Sequence, residues 1–295
     1  MPGHSGKCAI GLSSRLTLRY FAIGSLAVWL CDKLSGGVQA AHMHVPTLVD
    51  WNSRSGIITL TLPRASFRSY QPGQYFLANI PNLSLGEWRP LAASAVLADA
   101  LVFHVQSIPR IAAAPSVPAV RLRGPFGHTD FGSYENVLLF AGGVGITPLI
   151  ASFTTFLREA LAGRANPAMR SVVLVLMSRA AADLKTFSEV FALAGGEAGA
   201  LREAGAAVKT ATCAFHVRLH CTDASAWSSL CDPQSADHVS MFVTHRRCDV
   251  AEVFQTFGRG RSSIAAVCGS PALAAAVSRQ AWASGTDFHA EQFGA

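Results

Sequence analysis

The sequence contains few charged residues: Asp, Glu, Lys and Arg make up 14% of its 295 residues, whereas hydrophobic residues make up 50%. Basic residues outnumber acidic ones by 24 to 18, but no more than two of them stand side by side. Nucleic-acid-binding surfaces are built from clustered basic residues, so that function class is not indicated. A dispersed excess of +6 suits an anionic small molecule or a membrane surface instead.

The cysteine and serine motifs of several protein classes are missing as well. The seven cysteines are odd in number and include no CxxC pair, which argues against a disulfide framework and a zinc knuckle. No GxSxG nucleophile elbow is present, so a serine hydrolase is not indicated. These absences indicate a reducing compartment and a function that depends on bound ligands rather than on a metal or an activated serine.

One stretch places cysteines and histidines close together, but its pattern is not that of a metal site. Within it, "AFHVRLHC" alternates like a strand, where His216 and His220 share a face at a separation of about 13 Å. Ligands of one metal ion lie much closer than that, so we predict no metal site. The residues considered are Cys213, His216, His220, Cys221 and Cys231.

Only residues 16–34, "LTLRYFAIGSLAVWLCDKL", form a long hydrophobic run. As a helix it would extend roughly 28 Å, close to the thickness of a bilayer core, although Arg19, Asp32 and Lys33 interrupt its apolar character. We therefore expect one transmembrane helix within an N-terminal segment of residues 1–38. A secretory signal and a soluble core helix are the alternatives.

The rest of the chain divides into two regions with different sequence patterns. Residues 39–131 contain short alternating runs separated by turn residues, which is typical of an antiparallel β-barrel. Residues 132–295 contain continuous apolar runs alternating with helical patterns over 148–162, 181–194 and 271–284, which indicates an α/β domain with a parallel sheet. The predicted fold class is an antiparallel β-barrel followed by a parallel-sheet, nucleotide-binding α/β domain.

The stretch "VLLFAGGVGITPLIASF", residues 137–153, reads as a strand, a glycine turn and a helix. Gly142 and Gly143 would form the turn, and Gly145 would let the backbone approach a ligand. Thr147 and Pro148 are predicted as the helix N-cap and first-turn proline. Free N–H groups at the start of such a helix can bind a pyrophosphate, although a plain strand-to-helix turn has the same pattern.

Two further residues follow apolar strands of the predicted parallel sheet. Arg179 ends "SVVLVLMS", where an arginine would pair with the 2′-phosphate of NADP(H); the alternative is a solvated arginine. Cys268 ends the strand in "AAVCGSPAL", at the edge where open sheets bind ligands. The alternative for this cysteine is a buried small hydrophobic residue.

Several motifs together resemble the dehydrogenase half of ferric reductases and NADPH oxidases. They are "YQPGQYF", "EWRP", "RGPFG", "YENVLLFAGGVGITP", "VCGSPAL" and "DFHAEQF", and they occur in the family's order over residues 39–295. The resemblance implies a ferredoxin–NADP reductase fold, with a flavin-binding barrel over 39–131 and a nicotinamide-binding domain over 132–295. Residues 16–34 resemble the family's last membrane helix.

The resemblance also implies roles for individual residues. Flavin-binding residues would be Arg89, Pro90 and Ser94 in the first motif and Gly124, Pro125 and Gly127 in the second. The pyrophosphate turn would comprise Gly142, Gly143, Gly145, Ile146, Thr147 and Pro148, with Arg179 at the 2′-phosphate and Cys268 and Gly269 beside the nicotinamide. The residues implied to act in catalysis are Cys268 and Phe293, the latter being the aromatic residue that covers the flavin.

The sequence departs from the family in two respects. Leu91-Ala92-Ala93 replaces the flavin-stacking aromatic ring and a hydroxyl, and no bundle with paired haem histidines precedes residue 16. We expect the C-terminal part of a longer haem protein, or a reduced derivative of one, anchored in a membrane with its dehydrogenase part in the cytosol. Electrons would pass from NADPH through FAD to a haem domain or a ferric chelate. Superoxide production and a degenerate, non-catalytic binding protein are the alternatives.

Overall fold

The structure is a computed structural model. It describes residues 13–41, 43–44, 46, 48–52, 57–67, 69–80, 87–106, 119–127, 129–179, 213–222, 239–244, 246–258 and 262–291. An N-terminal helix is followed by antiparallel sheets and then by a parallel α/β sheet, which confirms the predicted fold class. The predicted helix over 181–194 lies outside the described residues.

Two four-stranded antiparallel sheets form the barrel. The sheet order is β1-β8-β4-β5 in one and β2-β3-β7-β6 in the other. Alternate residues of the third strand, Ile58, Leu60 and Leu62, are buried in the barrel core, as period-two patterning requires. The strands are β1 (Met43–His44), β2 (Leu48–Asn52), β3 (Ile57–Pro63), β4 (Tyr75–Asn79), β5 (Arg89–Leu91), β6 (Ala93–Val96), β7 (Ala100–Gln106) and β8 (Val120–Phe126).

Six parallel strands form the third sheet, in the order β12-β11-β10-β9-β13-β14. Helices cover both faces, so β9 and β13 are buried almost throughout and read as continuous apolar runs. The strands are β9 (Asn136–Gly142), β10 (Ser171–Ser178), β11 (Ala214–Cys221), β12 (Val239–Thr244), β13 (Ser263–Cys268) and β14 (Asp287–Glu291), and the helices are α2 (Ile146–Leu161), α3 (Val250–Phe257) and α4 (Pro271–Ser284).

The strand order places a switch point between β9 and β13. From β9 the chain adds β10, β11 and β12 on one side, and then returns to add β13 and β14 on the other. Open α/β sheets bind ligands in the crevice at the carboxyl ends of the strands beside such a reversal. The turns that follow β9 and β13 are therefore the expected place for a site.

The N-terminal helix α1 (Ser13–Ala41) forms, but it extends beyond the predicted 16–34 at both ends. Its side chains from Tyr20 to Leu34 are exposed, and Asp32 forms an ion pair with Arg123 of β8 at 2.7 Å. In the part of the chain that the structure describes, none of the helices combines the length and the apolar character that a membrane crossing requires. The predicted transmembrane helix is therefore not confirmed.

The barrel and the parallel sheet are joined by side-chain packing as well as by the polypeptide chain. Helix α2 packs on β6, where Arg158 Nη1 donates to the Val96 carbonyl at 2.9 Å. Ile57 and Val102 of the barrel belong to the same buried cluster as Ile150 of α2. The predicted domain division at residues 131 and 132 falls in the segment that links β8 to β9.

Strand β11 confirms the strand predicted for "AFHVRLHC". His216 lies against the Phe257 ring, with ring centroids 4.8 Å apart, and His220 Nδ1 lies 3.2 Å from the Arg246 carbonyl oxygen. Cys221 instead belongs to the core cluster that includes α2. Burial lowers the pKa of both histidines, so each imidazole is held in its neutral form in the packed sheet.

Candidate functional site

The glycine turn after β9 lies directly against the turn after β13. Ala141 and Cys268 are register partners at the ends of these strands. A Cβ atom built on Gly145 would lie 2.7 Å from the Cys268 carbonyl carbon, and one built on Gly269 would lie 3.1 Å from the Gly142 nitrogen. These glycines are required because the two turns touch through their backbones.

This contact changes the role predicted for Gly145. The sequence suggested that its missing side chain admits a ligand, whereas in the structure the space is filled by Cys268. The open position is Gly143, where an added Cβ atom would have no other atom of the described residues within 4 Å and φ is +56°. Close approach of a ligand to the backbone is therefore available at Gly143 rather than at Gly145.

Helix α2 begins at this turn without a side-chain cap. Its N-cap is Gly145, so the prediction of Thr147 as the cap is wrong. Thr147 and Pro148 both lie inside the first turn and are buried, as is Ile146. No side-chain hydrogen bond caps α2, and the Ile146 N–H already donates to the Gly143 and Val144 carbonyls, so the first turn offers a ligand mainly the positive end of the helix dipole.

Cys268 lies at the carboxyl end of β13, where it is 3% exposed. Burial, together with the negative charge of Glu291, raises the pKa of its thiol to about 12. The thiol therefore stays protonated at neutral pH and is not an activated nucleophile. Glu291 is its register partner on β14 and was missed as a site residue, although it stands in the quoted motif "DFHAEQF".

Tyr70 connects this edge of the sheet to the flavin motif of the barrel. Its hydroxyl donates to the Gln74 carbonyl at 2.9 Å and accepts from the Ala93 N–H at 3.2 Å. Burial raises the pKa of Tyr70, and the charge of Glu291 adds to that rise although the Ala93 N–H opposes it. The charge of Glu291 thus affects both Tyr70 in the barrel and Cys268 in the parallel sheet.

Only part of the first flavin motif is accessible to a ligand. Arg89 is exposed and its Nη2 lies 2.9 Å from Glu87 Oε1, while Pro90 is half-buried. Ser94 has no exposed surface: its hydroxyl donates to the Val102 carbonyl at 3.0 Å. His104 Nδ1 lies 2.5 Å from the same hydroxyl oxygen, in the barrel interior. The hydroxyl of Ser94 is therefore committed to the barrel core.

The departures from the family motif are buried positions. Leu91 is 8% exposed and Ala92 is 1% exposed. Both residues pack where the family's ring and hydroxyl would stand, and neither can donate or accept a side-chain hydrogen bond. The loss of cofactor contacts at these positions thus leaves the barrel itself well packed.

The second flavin motif forms a tight turn against Tyr75. Gly124 and Gly127 have φ values of +136° and +73°, which side chains rarely adopt, and a cis peptide bond joins Gly124 to Pro125. A Cβ atom on Gly127 would lie 3.3 Å from the Tyr75 ring, and one on Gly124 would lie 3.1 Å from the Tyr75 carbonyl oxygen. Close packing and backbone conformation both require glycine here.

Arg179 is exposed immediately after β10, at the same edge of the sheet as the glycine turn. The Cys221 thiol at the end of β11 donates to its carbonyl oxygen at 3.7 Å. Arg179 therefore follows the strand that pairs with β9, one strand away from the glycine turn. Phe293, the predicted flavin cover, lies outside the described residues.

Comparison with known proteins identifies the second half of the chain. A family model described as the ferric reductase NAD-binding domain matches residues 134–282, just over half of the 295 residues. "Ferric reduction oxidase 8, mitochondrial" of Arabidopsis thaliana is 30% identical over 148 residues, which cover 43% of this chain and 20% of that protein. "NADPH oxidase 3" of Homo sapiens is 27% identical over 147 residues, covering 44% and 26%.

Solved structures extend the likeness to the barrel. A ferredoxin NADP+ reductase from Neisseria gonorrhoeae, solved with bound FAD and NADP, superposes with a TM-score of 0.54 at 15% identity. The match covers 84% of this chain and 98% of that one, so the likeness concerns the fold of both halves. In contrast, the chain spans no more than about a quarter of the two relatives described above.

Proposed function

Because this chain belongs to the family of ferric reductase NAD-binding domains, we propose that it is an NADPH-dependent flavoprotein oxidoreductase that passes electrons through FAD to a ferric chelate or a haem. The observation that carries the proposal is the backbone contact between the turns after β9 and β13, at the point where the strand order of the parallel sheet reverses. Hydride transfer requires both cofactors in one crevice, and this is where such a crevice would have to lie.

The nucleotide side fits its cofactor. Gly143 offers open backbone, and α2 begins beside it without a side-chain cap, so the turn suits a pyrophosphate. Arg179 stands at the same edge with an exposed guanidinium, which would pair with a 2′-phosphate. These three features support NADPH as the nucleotide.

The flavin side fits less completely. Arg89 has an exposed guanidinium for the flavin's phosphate, and the strands of Arg89 and of the Gly124 turn both pair with β4. Leu91 and Ala92 supply only van der Waals contact, since they lack polar side-chain atoms. We therefore propose that FAD binds, but more weakly than in relatives that keep the ring and hydroxyl.

The residues of the crevice act by position and charge. When bound, the nicotinamide and the flavin supply the hydride and the single-electron chemistry. The buried thiol of Cys268 remains neutral, so it fills the nicotinamide end of the crevice without adding charge. Glu291 supplies a negative charge at that end, which favours a ligand that becomes more positive. Tyr70 fixes the backbone of Ala93 at the flavin end.

Two measurements test the proposal. Purified chain supplemented with FAD should show a flavin absorbance spectrum after gel filtration, and it should reduce ferricyanide with NADPH as the donor. Ferricyanide accepts electrons directly from a flavin, so the assay needs no haem. A colourless protein without ferricyanide reduction at high FAD concentration would reject the proposal.

For the acceptor, we propose a ferric chelate before oxygen, because a named ferric reduction oxidase is among the relatives. Superoxide production is the second candidate, supported by the NADPH oxidase relative. Comparing NADPH oxidation with ferric citrate and with oxygen, with superoxide detected by cytochrome c reduction, separates the two. A third candidate, a non-catalytic binding protein, is supported by Leu91 and Ala92, and it predicts no turnover with any acceptor.

For localisation, we propose that α1 brings the chain to a membrane. The exposed apolar side chains of α1, including Phe21 at 74% and Val28 at 71%, support this contact. A variant that begins at Ala40 should remain in the supernatant after centrifugation with liposomes, whereas the full chain should sediment with them. Equal sedimentation of both chains would contradict the proposal.

A further inference from the structure

Strand β14 has three alternate side chains directed to the crevice and to the linker, the segment that joins the barrel to the parallel sheet. Asp287 accepts a hydrogen bond from the Tyr134 hydroxyl at 2.8 Å, and His289 contacts Thr129 at 3.1 Å. Glu291 follows two residues later and is the register partner of Cys268. Because strand side chains alternate, these three lie on one face of β14.

His289 makes two polar contacts with one nitrogen atom. Its Nε2 lies 3.1 Å from Thr129 Oγ1 and 3.2 Å from Glu291 Oε1. A carboxylate can only accept a hydrogen bond, so Nε2 carries a hydrogen and shares it between the two oxygens. The imidazole thus connects the linker residue Thr129 to the carboxylate in the crevice.

Burial indicates that this connection restricts Glu291. The Glu291 side chain is 12% exposed, whereas the His289 side chain is 35% exposed. A largely buried carboxylate that loses a hydrogen-bond donor turns toward water, since this relieves its desolvation. The orientation of Glu291 therefore depends on the His289 N–H.

We propose that His289 is a positioning residue, which holds the Glu291 carboxylate against Cys268 and ties β14 to the linker through Thr129. Its effect on turnover rests on the proposed function, but its effect on the strand and linker does not. Asp287 and Tyr134 form a second tie on the same strand that leaves Glu291 untouched.

Packing and hydrogen bonding at His289 can be separated by substitution. The ring of His289 packs edge-to-face on Phe131, with centroids 6.4 Å apart. H289F keeps an aromatic ring for this contact and removes the N–H, whereas H289Q keeps a side-chain N–H donor. T129V removes only the linker hydroxyl at nearly constant volume, and Y134F removes only the second tie.

The first experiment measures hydrogen exchange by mass spectrometry on the cofactor-free chain. H289F and T129V should each raise exchange roughly threefold or more in both β14 and the linker over 129–134, with H289Q close to wild type. If the hydrogen exchange rates of H289F equal those of wild type, or rise only in β14, the proposed link between β14 and the linker is wrong. The readout needs no cofactor, so it stands even if the flavin proposal fails.

The second experiment measures ferricyanide reduction in the FAD-supplemented protein. H289F should lower kcat about tenfold with KM for NADPH nearly unchanged, H289Q should restore most of kcat, and Y134F should match wild type. In an E291Q background, H289F should have no further effect, because both changes remove the same oriented carboxylate. Additive losses would overturn the positioning role, whereas an inactive wild-type chain would reject the proposed function alone.

Discussion

The two sides of the crevice have kept their motifs to different degrees. On the nucleotide side, the glycines that the family pattern predicts are present, and Gly145 and Gly269 each touch the neighbouring turn. On the flavin side, Leu91 and Ala92 have replaced a ring and a hydroxyl, and the barrel packs tightly around them. Backbone contact allows no substitute for glycine, whereas a side chain that touches only a cofactor can be replaced without disturbing the fold.

The strongest test of this difference is G145V. A valine would overlap the Cys268 carbonyl group, so we expect a loss of at least about 3 kcal/mol in the free energy of unfolding. Urea denaturation followed by circular dichroism measures this loss. G143A is the control: it meets open space and loses stability only through its positive φ, about 1 kcal/mol. Equal effects of the two variants would contradict the packing role of Gly145.

The flavin side should instead show sensitivity to acid through His104. Burial lowers the pKa of His104 from 6.5 to about 4. Between these two pH values His104 is protonated in the unfolded chain but stays neutral in the folded barrel. Stability is therefore retained above pH 6.5 and falls by up to about 3 kcal/mol as pH drops toward 4.

Urea titrations at several pH values measure that loss, with H104Q as the control. The variant cannot titrate at this position, so its stability should change less than that of wild type over the same interval. The difference between the two proteins isolates His104 from the other histidines. Parallel curves would show that His104 does not control the acid sensitivity.

Arg179 tests whether the nucleotide side selects its ligand by charge. R179A should weaken NADPH binding roughly ten- to a hundredfold, because a charge-assisted contact to a phosphate typically contributes about 1.5–3 kcal/mol. NADH lacks that phosphate, so its affinity should change little. Ferricyanide assays with both donors measure the two KM values. Equal changes with NADPH and NADH would assign Arg179 to the solvated surface.

The smallest effect is expected at Glu87. Its carboxylate would compete with the flavin's phosphate for the guanidinium of Arg89. Glu87 pairs with Arg89, and both side chains are about half exposed. E87Q should free the guanidinium and tighten FAD binding by roughly twofold, since exposed pairs contribute at most about 1 kcal/mol. Flavin fluorescence titration measures the change, and R89A, which should weaken binding, serves as the opposite control. Weaker binding in E87Q would contradict this competition.

The sequence predicted the strands and helices whose pattern is uniform. β9, β10 and β13 are continuous apolar runs, β11 has the alternating pattern of a strand, and the predicted helix over 271–284 agrees with α4. β12 and α3 were missed, because six and eight residues carry too little periodicity to stand out. β14 was also missed as a strand, since its alternate residues are charged or polar.

The site was predictable where backbone geometry dominates and less so where partners come from distant segments. Gly142, Gly143 and the first-turn Pro148 could be recognised, although the true N-cap is Gly145 rather than Thr147. The charge of Glu291 affects Tyr70 only when the barrel meets the parallel sheet. Nothing local in the sequence records that meeting, apart from the alternation of Asp287, His289 and Glu291.

The contact between Gly145 and Cys268 has a consequence for how descendants of this protein would diverge. A lineage that lost its nucleotide would still be selected to keep Gly145 and Gly269, because the folded sheet itself needs them. Gly143 has open space among the described residues, so apart from the cost of its positive φ, about 1 kcal/mol, only a bound ligand would preserve it. Among such descendants, substitution of Gly143 would indicate the loss of nucleotide binding. Gly145 and Gly269 would remain, because folding requires them.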